Sequence, residues 1–99
     1  MDKVANKGHY VYIVECQDGT LYTGYTVDIV KRLAQHNSGI AAKYTRGRRP
    51  VVLRYLEEGE SRSWGLKREM AIKHLTRKQK MALIEGSGHV AATKVLHSE

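Results

Sequence analysis

HYVYIVECQDGTLYTGY, residues 9–25, decides the fold. Residues 9–16 are rich in aromatic and β-branched types and predict a strand. Asp18-Gly19 is a turn signal, and TLYTGY, residues 20–25, predicts a second strand, so the stretch closes as a hairpin. Loop length sets which side chains meet. A two-residue loop would pair Tyr12 with Tyr25 and put Tyr22 opposite Glu15, on the other face of the pleat. A three-residue loop, Gln17-Asp18-Gly19, pairs Cys16 with Thr20, Val14 with Tyr22 and Tyr12 with Gly24. Tyr12, Tyr22 and Gly24 then share one face, the two tyrosines are diagonal neighbours, and Gly24 leaves space beside Tyr12. The predicted register is this one, or another odd loop, with Gly19 at positive φ.

Downstream, Thr26 is the expected cap of a first helix, with Asp28 in its first turn. Ile29, Val30, Leu33 and Ala34 give helical spacing, and Asn37-Ser38-Gly39 ends it. Residues 40–50 read as a basic loop in which Lys43, Arg46, Arg48 and Arg49 surround Gly47. Pro50 opens a strand to about Glu57, and Glu58-Gly59 looks like a turn. Ser61 or Ser63 caps a second main helix running to about Leu75. Thr76 to Gln79 fits a capping box for a last helix ending near Gly86. The expected architecture is α+β, a small three-stranded, largely antiparallel sheet flanked by helices in the order β-β-α-β-α-α. Residues 1–8 are expected to be a flexible lead-in, 9–86 the folded domain and 87–99 a mobile tail.

At 99 residues the chain suits one domain with one modest core and one site, burying about 60–65% of its unfolded surface. Lys and Arg number 17 against 10 Asp and Glu, a balance of +7 that tilts the reading toward a polyanionic partner over a merely solubilising surface. No apolar run or basic amphipathic helix suggests a membrane. The single cysteine, Cys16, points to a reducing compartment, and residues 1–10 lack an apolar signal core, so a cytoplasmic location is expected.

Arg32 and His36 stand four apart and share a helix face, whereas Ile29 and Leu33 form a different stripe toward the core. Their bland readings are a solvated helix charge and a histidine at a helix C-terminus. Glu69 lies in the second main helix, flanked by Leu66 and Ile72, with Gly65 four before it leaving room. It is a candidate metal ligand, while spacing alone favours an ordinary ion pair with Lys73. Mg²⁺ needs no closed cage, since it keeps waters and takes one carboxylate plus substrate phosphates. Walker, GxSxG and HExxH patterns are absent.

With these residues placed, Tyr10 to Glu69 resembles the GIY-YIG nuclease superfamily, and especially its small stand-alone bacterial branch, the YhbQ-like proteins. Tyr10-Val11-Tyr12 stands for the first motif and Tyr22-Thr23-Gly24 for the second; Arg32, His36 and Glu69 follow in the family's order. The first motif has Tyr10-Val11 where the family's namesake has Gly-Ile, and Lys43 and Tyr44 stand where some members carry another His or Lys. A basic stretch follows the glutamate, Lys73 to Lys80, as in that branch. The resemblance implies a metal-dependent endonuclease acting on nucleic acid, DNA foremost, with one Mg²⁺ or Mn²⁺ held by Glu69. Arg32 would clamp the phosphate, and Tyr12 or Tyr22 would activate water. His36 or Lys43 would lower the phenol's pKa or take its proton. Lys43, Arg46, Arg48 and Arg49 would hold the flanking backbone without reading sequence, which suits structure-sensitive repair or processing. Two competing expectations share the scaffold: a non-catalytic nucleic-acid-binding domain, and a subunit activated by a protein partner.

Overall fold

A computed structural model describes residues 7–88; of the lead-in expected for 1–8 and the tail expected for 87–99, residues 1–6 and 89–99 lie outside the described residues. Strand β1 (Lys7–Glu15) begins two residues before the expected start and pairs with β2 (Leu21–Asp28). Helix α1 (Ile29–Asn37) and a one-turn helix α2 (Lys43–Arg46) lead to β3 (Val52–Gly59). Helices α3 (Arg62–Lys73) and α4 (Arg77–Leu83) follow, and a π-helical turn, Ile84–Gly88, closes the described chain. The sheet has the order β2-β1-β3, antiparallel throughout, so the architecture is the expected α+β one with an added helical turn before β3.

The first strand of the sequence is the central strand of the sheet, and its composition explains why. Val11, Tyr12, Ile13 and Val14 are all fully buried, because both faces of β1 are covered. Such a strand reads as a continuous apolar run rather than an alternation. Its even-numbered side chains Tyr10, Tyr12 and Val14, with Cys16 just beyond its end, pack with Ile29 of α1, Val51 and Leu53. Its odd-numbered ones, Val11 and Ile13, pack with Tyr55, Ile72 of α3 and Ile84. Helix α1 therefore lies over one face and α3 over the other. Trp64 joins the second cluster and covers Gly59, where a Cβ would come within 2.2 Å of its ring.

Two local expectations change. Asp28, not Thr26, caps α1, accepting from the backbone N–H of Lys31 at 3.1 Å. Thr26 cannot be the cap because it is still paired with Tyr10 in the sheet. Residues 43–46, read as loop, form the turn α2; its N-cap residue, Ala42, makes no side-chain capping bond, so no local signal announces it. Ser61, of the two candidate serines, caps α3, and Thr76 with Gln79 completes a reciprocal capping box on α4. No helix among the described residues is long and apolar enough to cross a membrane.

Candidate active site

The hairpin takes the three-residue loop. Cys16 N–H donates to Thr20 O at 2.8 Å, Gly19 N–H to Cys16 O at 2.9 Å, and Gly19 has φ +87°. Tyr12 therefore lies opposite Gly24, and Val14 opposite Tyr22. Gly24 is necessary at this point: a Cβ there would stand 2.4 Å from the Tyr12 hydroxyl. The ring of Tyr12 crosses the edge strand where only a hydrogen fits.

Side chains from both helical layers converge on that hydroxyl. It lies 2.8 Å from Nε2 of His36, which α1 presents four residues after Arg32. Nδ1 of His36 lies 2.8 Å from the hydroxyl of Thr45, in α2. Tyr22 sets its ring edge-on to His36 at 5.5 Å and stacks on Tyr44 at 5.6 Å. Arg32 and Glu69 both act electrostatically on Tyr12, and they come from helices packed on opposite faces of the sheet. Burial pushes the Tyr12 phenol well above its ordinary 10.0; Tyr22 and Glu69 push the same way, and the Arg32 guanidinium opposes them. Arg32 Nε is itself buried without a hydrogen-bond partner among the described residues. An unmade bond of that kind costs about 1–3 kcal/mol, a cost that an incoming anion would remove.

His36 is not the exposed C-terminal helix residue of the bland reading: it is fully buried. Burial, and then the charge of Arg32, lower its pKa from 6.5 to about 4. It is neutral at pH 7, so it does not act on Tyr12 as a cation. The sign for stability follows. The unfolded chain binds a proton at His36 below about 6.5 and the folded chain only below about 4, so stability is fully present above 6.5 and is lost as pH falls toward 4. The expected loss is on the order of 3 kcal/mol, at about 1.4 kcal/mol per unit. Urea midpoints at pH 7 and pH 4.5 should diverge in the wild type and much less in His36→Gln; an equal fall in both would assign the loss to other groups.

Glu69 is one-fifth exposed, and its Oε2 lies 3.2 Å from Lys73 Nζ, so the ion pair that spacing favours is formed. Two supports expected around it are different. Leu66 is an exposed residue and does not wall the carboxylate, while Ile72 is buried as expected. The room left by Gly65 is filled by Tyr25, whose ring carbon would be 2.2 Å from a Cβ there. The glycine serves the seating of α3 on β2. The adjacent residue fixes the rotation of the helix: Arg68 Nε and Nη2 donate to the two oxygens of Glu57 on β3, at 2.7 Å each.

The four basic candidates do not act alike. Lys43 and Arg46 are exposed. Arg49 donates from Nε to Arg46 O at 3.0 Å and, with Asn37, Arg46, Gly47 and Pro50, lines a surface hollow. Arg48 is committed: it donates to Asp18 at 3.0 Å and to Tyr44 O at 2.7 Å, and its guanidinium lies 4.2 Å from the centre of the Tyr44 ring. It ties the hairpin loop to α2. Thr45 is the residue missed by sequence reasoning. A threonine within a basic run carries no periodic or motif signal, and only the docking of α2 brings it to His36.

This arrangement agrees with comparison to known proteins. A family model described as the GIY-YIG catalytic domain matches residues 8–82, so the chain belongs to the GIY-YIG family, a nuclease family. Among its relatives, a UPF0213 protein of Halobacterium salinarum is 57% identical over 75 residues, which are 76% of this chain and 97% of that protein. A UPF0213 protein of Staphylococcus haemolyticus is 54% identical over 77 residues, 78% of this chain and 94% of that one. The solution structure of a UPF0213 protein from Bacillus halodurans matches with a TM-score of 0.56 at 42% identity, covering 91% of this chain and 96% of that one.

Proposed function

We propose that this chain is a metal-dependent endonuclease that hydrolyses nucleic-acid phosphodiesters, DNA foremost, and that it responds to the shape of its substrate and not to its sequence. The observation that carries this reading is the convergence on the Tyr12 hydroxyl of a neutral His36, a cationic Arg32 with a buried unused donor, and the carboxylate of Glu69.

Among the described residues no three His, Cys, Asp or Glu side chains gather as a ligand set, and Glu69 is the carboxylate whose charge is felt at Tyr12. That donor set fits Mg²⁺ or Mn²⁺, which would draw its remaining ligands from water and substrate phosphate. Held by Glu69, the ion would stabilise charge on the scissile phosphate and the leaving oxygen. Arg32 would grip the phosphate through its planar fork. Tyr12 is a poor phenolate, because burial and nearby negative charge oppose its ionisation. It serves instead as a neutral phenol whose hydrogen points to His36 and whose oxygen accepts from the attacking water. Tyr22, half-buried at the mouth of the site, orients that water or the phosphate. This assignment gives the proton-handling position to Tyr12, since Tyr12 is the tyrosine hydrogen-bonded to the neutral His36.

Cleavage of nicked, flapped, branched and single-stranded DNA, and of RNA, in Mg²⁺, Mn²⁺ or EDTA tests the proposal. Metal-dependent cutting that differs among DNA shapes supports it. Binding without cutting on every substrate would favour the non-catalytic or partner-activated reading. Backbone grip is a separate measurement. Arg48→Gln would also untie Asp18 and Tyr44, so the exposed pair Lys43 and Arg46 reports charge more directly. Lys43→Gln with Arg46→Gln should weaken DNA binding and flatten the slope of log K against log salt by about 1–2, if one or both meet phosphate. An unchanged slope would remove both from the interface.

A further inference from the structure

Thr45 has two polar partners and no exposure. Its Oγ1 donates to Ala42 O at 3.2 Å and lies 2.8 Å from Nδ1 of His36. A hydroxyl carries one hydrogen, and a main-chain carbonyl can only accept. With that hydrogen on Ala42 O, the Thr45 oxygen must accept from an Nδ1–H. The imidazole is neutral, so Nε2 is then bare and must accept from Tyr12. All three hydrogens are used: Tyr12 O–H to Nε2, Nδ1–H to Thr45, Thr45 O–H to Ala42. The reverse polarity would turn the Tyr12 hydrogen away from His36 and leave it in need of another acceptor. It would also give up the Thr45 bond to Ala42.

We infer that Thr45 is a positioning residue that locks His36 in its Nδ1–H tautomer and thereby makes the Tyr12 oxygen an acceptor toward the active site. The inference rests on the proposed function for its catalytic consequence, though the lock itself does not. If Nε2 carried the hydrogen, Tyr12 would accept from His36 and offer its own O–H to the site, where it would compete with the water's proton for the same space. Through His36, Thr45 thus sets the direction of a hydrogen bond at Tyr12, a residue it is not hydrogen-bonded to. The side chain needs only a hydroxyl at this depth, so serine should serve and valine should not, although valine keeps the volume.

The experiment is a ¹⁵N–¹H correlation spectrum of the His36 imidazole at pH 7, in the wild type, Thr45→Ser, Thr45→Val and Tyr12→Phe, alongside kcat and KM for cleavage. The Nδ1–H form is expected in the wild type, in Thr45→Ser and in Tyr12→Phe, and the Nε2–H form should gain in Thr45→Val. Cleavage by Thr45→Val should fall about 10–100-fold in kcat with KM little changed, and Thr45→Ser should recover most of it. An Nε2–H wild type, or loss of the Nδ1–H form in Tyr12→Phe, overturns the lock even if Thr45→Val does not fold. An unchanged kcat in a Thr45→Val protein whose tautomer has switched overturns the catalytic consequence. A wild type that cuts nothing while showing the Nδ1–H form would leave the lock standing and sink the nuclease reading instead.

Discussion

Glu69→Gln is expected to lower metal-dependent cleavage by about a thousand-fold or more, equivalent to roughly 4 kcal/mol of transition-state stabilisation, while leaving the fold in place. The asymmetry comes from what Glu69 touches. Its ion pair with Lys73 is an i,i+4 surface pair in which the lysine is half-exposed. Such pairs contribute about 0.3–0.5 kcal/mol. The helix is seated by other contacts: buried Ile72, the Tyr25 ring on Gly65, and the Arg68 clasp on Glu57. Glutamine keeps the shape and removes the charge that a divalent ion needs. The check is single-turnover cleavage beside a urea midpoint. A midpoint within about 1 kcal/mol of wild type with cleavage abolished supports the metal role. Cleavage that survives in Mg²⁺ would sink it, and a loss of activity that merely follows unfolding would remove its force.

Gly24→Ala should injure both fold and activity. The new Cβ would lie 2.4 Å from the Tyr12 hydroxyl and 2.6 Å from the ring carbon that bears it. Backbone strain is not the cause, since Gly24 is not among the glycines at positive φ. The Tyr12 ring cannot give way freely, because it is fully buried against Val14, Ile29 and their neighbours. Overpacking of this kind costs about 1–3 kcal/mol, which in a domain of this size lowers Tm by about 4–8 °C per kcal/mol. Whatever displacement relieves the clash carries the hydroxyl off His36, so cleavage should fall by about 100-fold beyond any loss to unfolding. Gly47→Ala is the matched control, with nothing within 4 Å of its added Cβ. Calorimetry and single-turnover cleavage at a temperature where both variants are folded separate the two effects. A Gly24→Ala protein as stable and active as the Gly47→Ala one would show that Tyr12 does not cross the sheet at this point.

Pattern in the chain was sufficient for the hairpin, its register and the positive φ of Gly19, because a turn dipeptide and strand pairing are local physics. The capping box at Thr76 and Gln79 was legible for the same reason, as were the helical spacing of Arg32 and His36 and the family likeness that runs from Tyr10 to Glu69. The cap of α1 was not. Thr26 is as good a cap by composition as Asp28, and only its pairing with Tyr10 across the sheet removes it. The turn α2 was illegible because no side chain caps it.

The chemistry of the candidate site divides along the same line. Residue types and their order were enough to nominate Tyr12, Tyr22, Arg32, His36 and Glu69. Their electrical states depend on burial and on neighbours distant in sequence. His36 is neutral because the sheet and α1 enclose it beside Arg32. Its second partner, Thr45, arrives from a segment that looks like basic loop. Arg48 serves the loop at Asp18, thirty residues away, although its sequence neighbourhood suggests a free phosphate contact. Spacing shows that Gly65 leaves a gap; which ring fills it is decided by how α3 crosses β2. Local hydrogen bonds and periodicity act over a few residues and are written along the chain. Burial, tautomer and ion pairing are set by what packs against a group, and that exists only once the chain has folded.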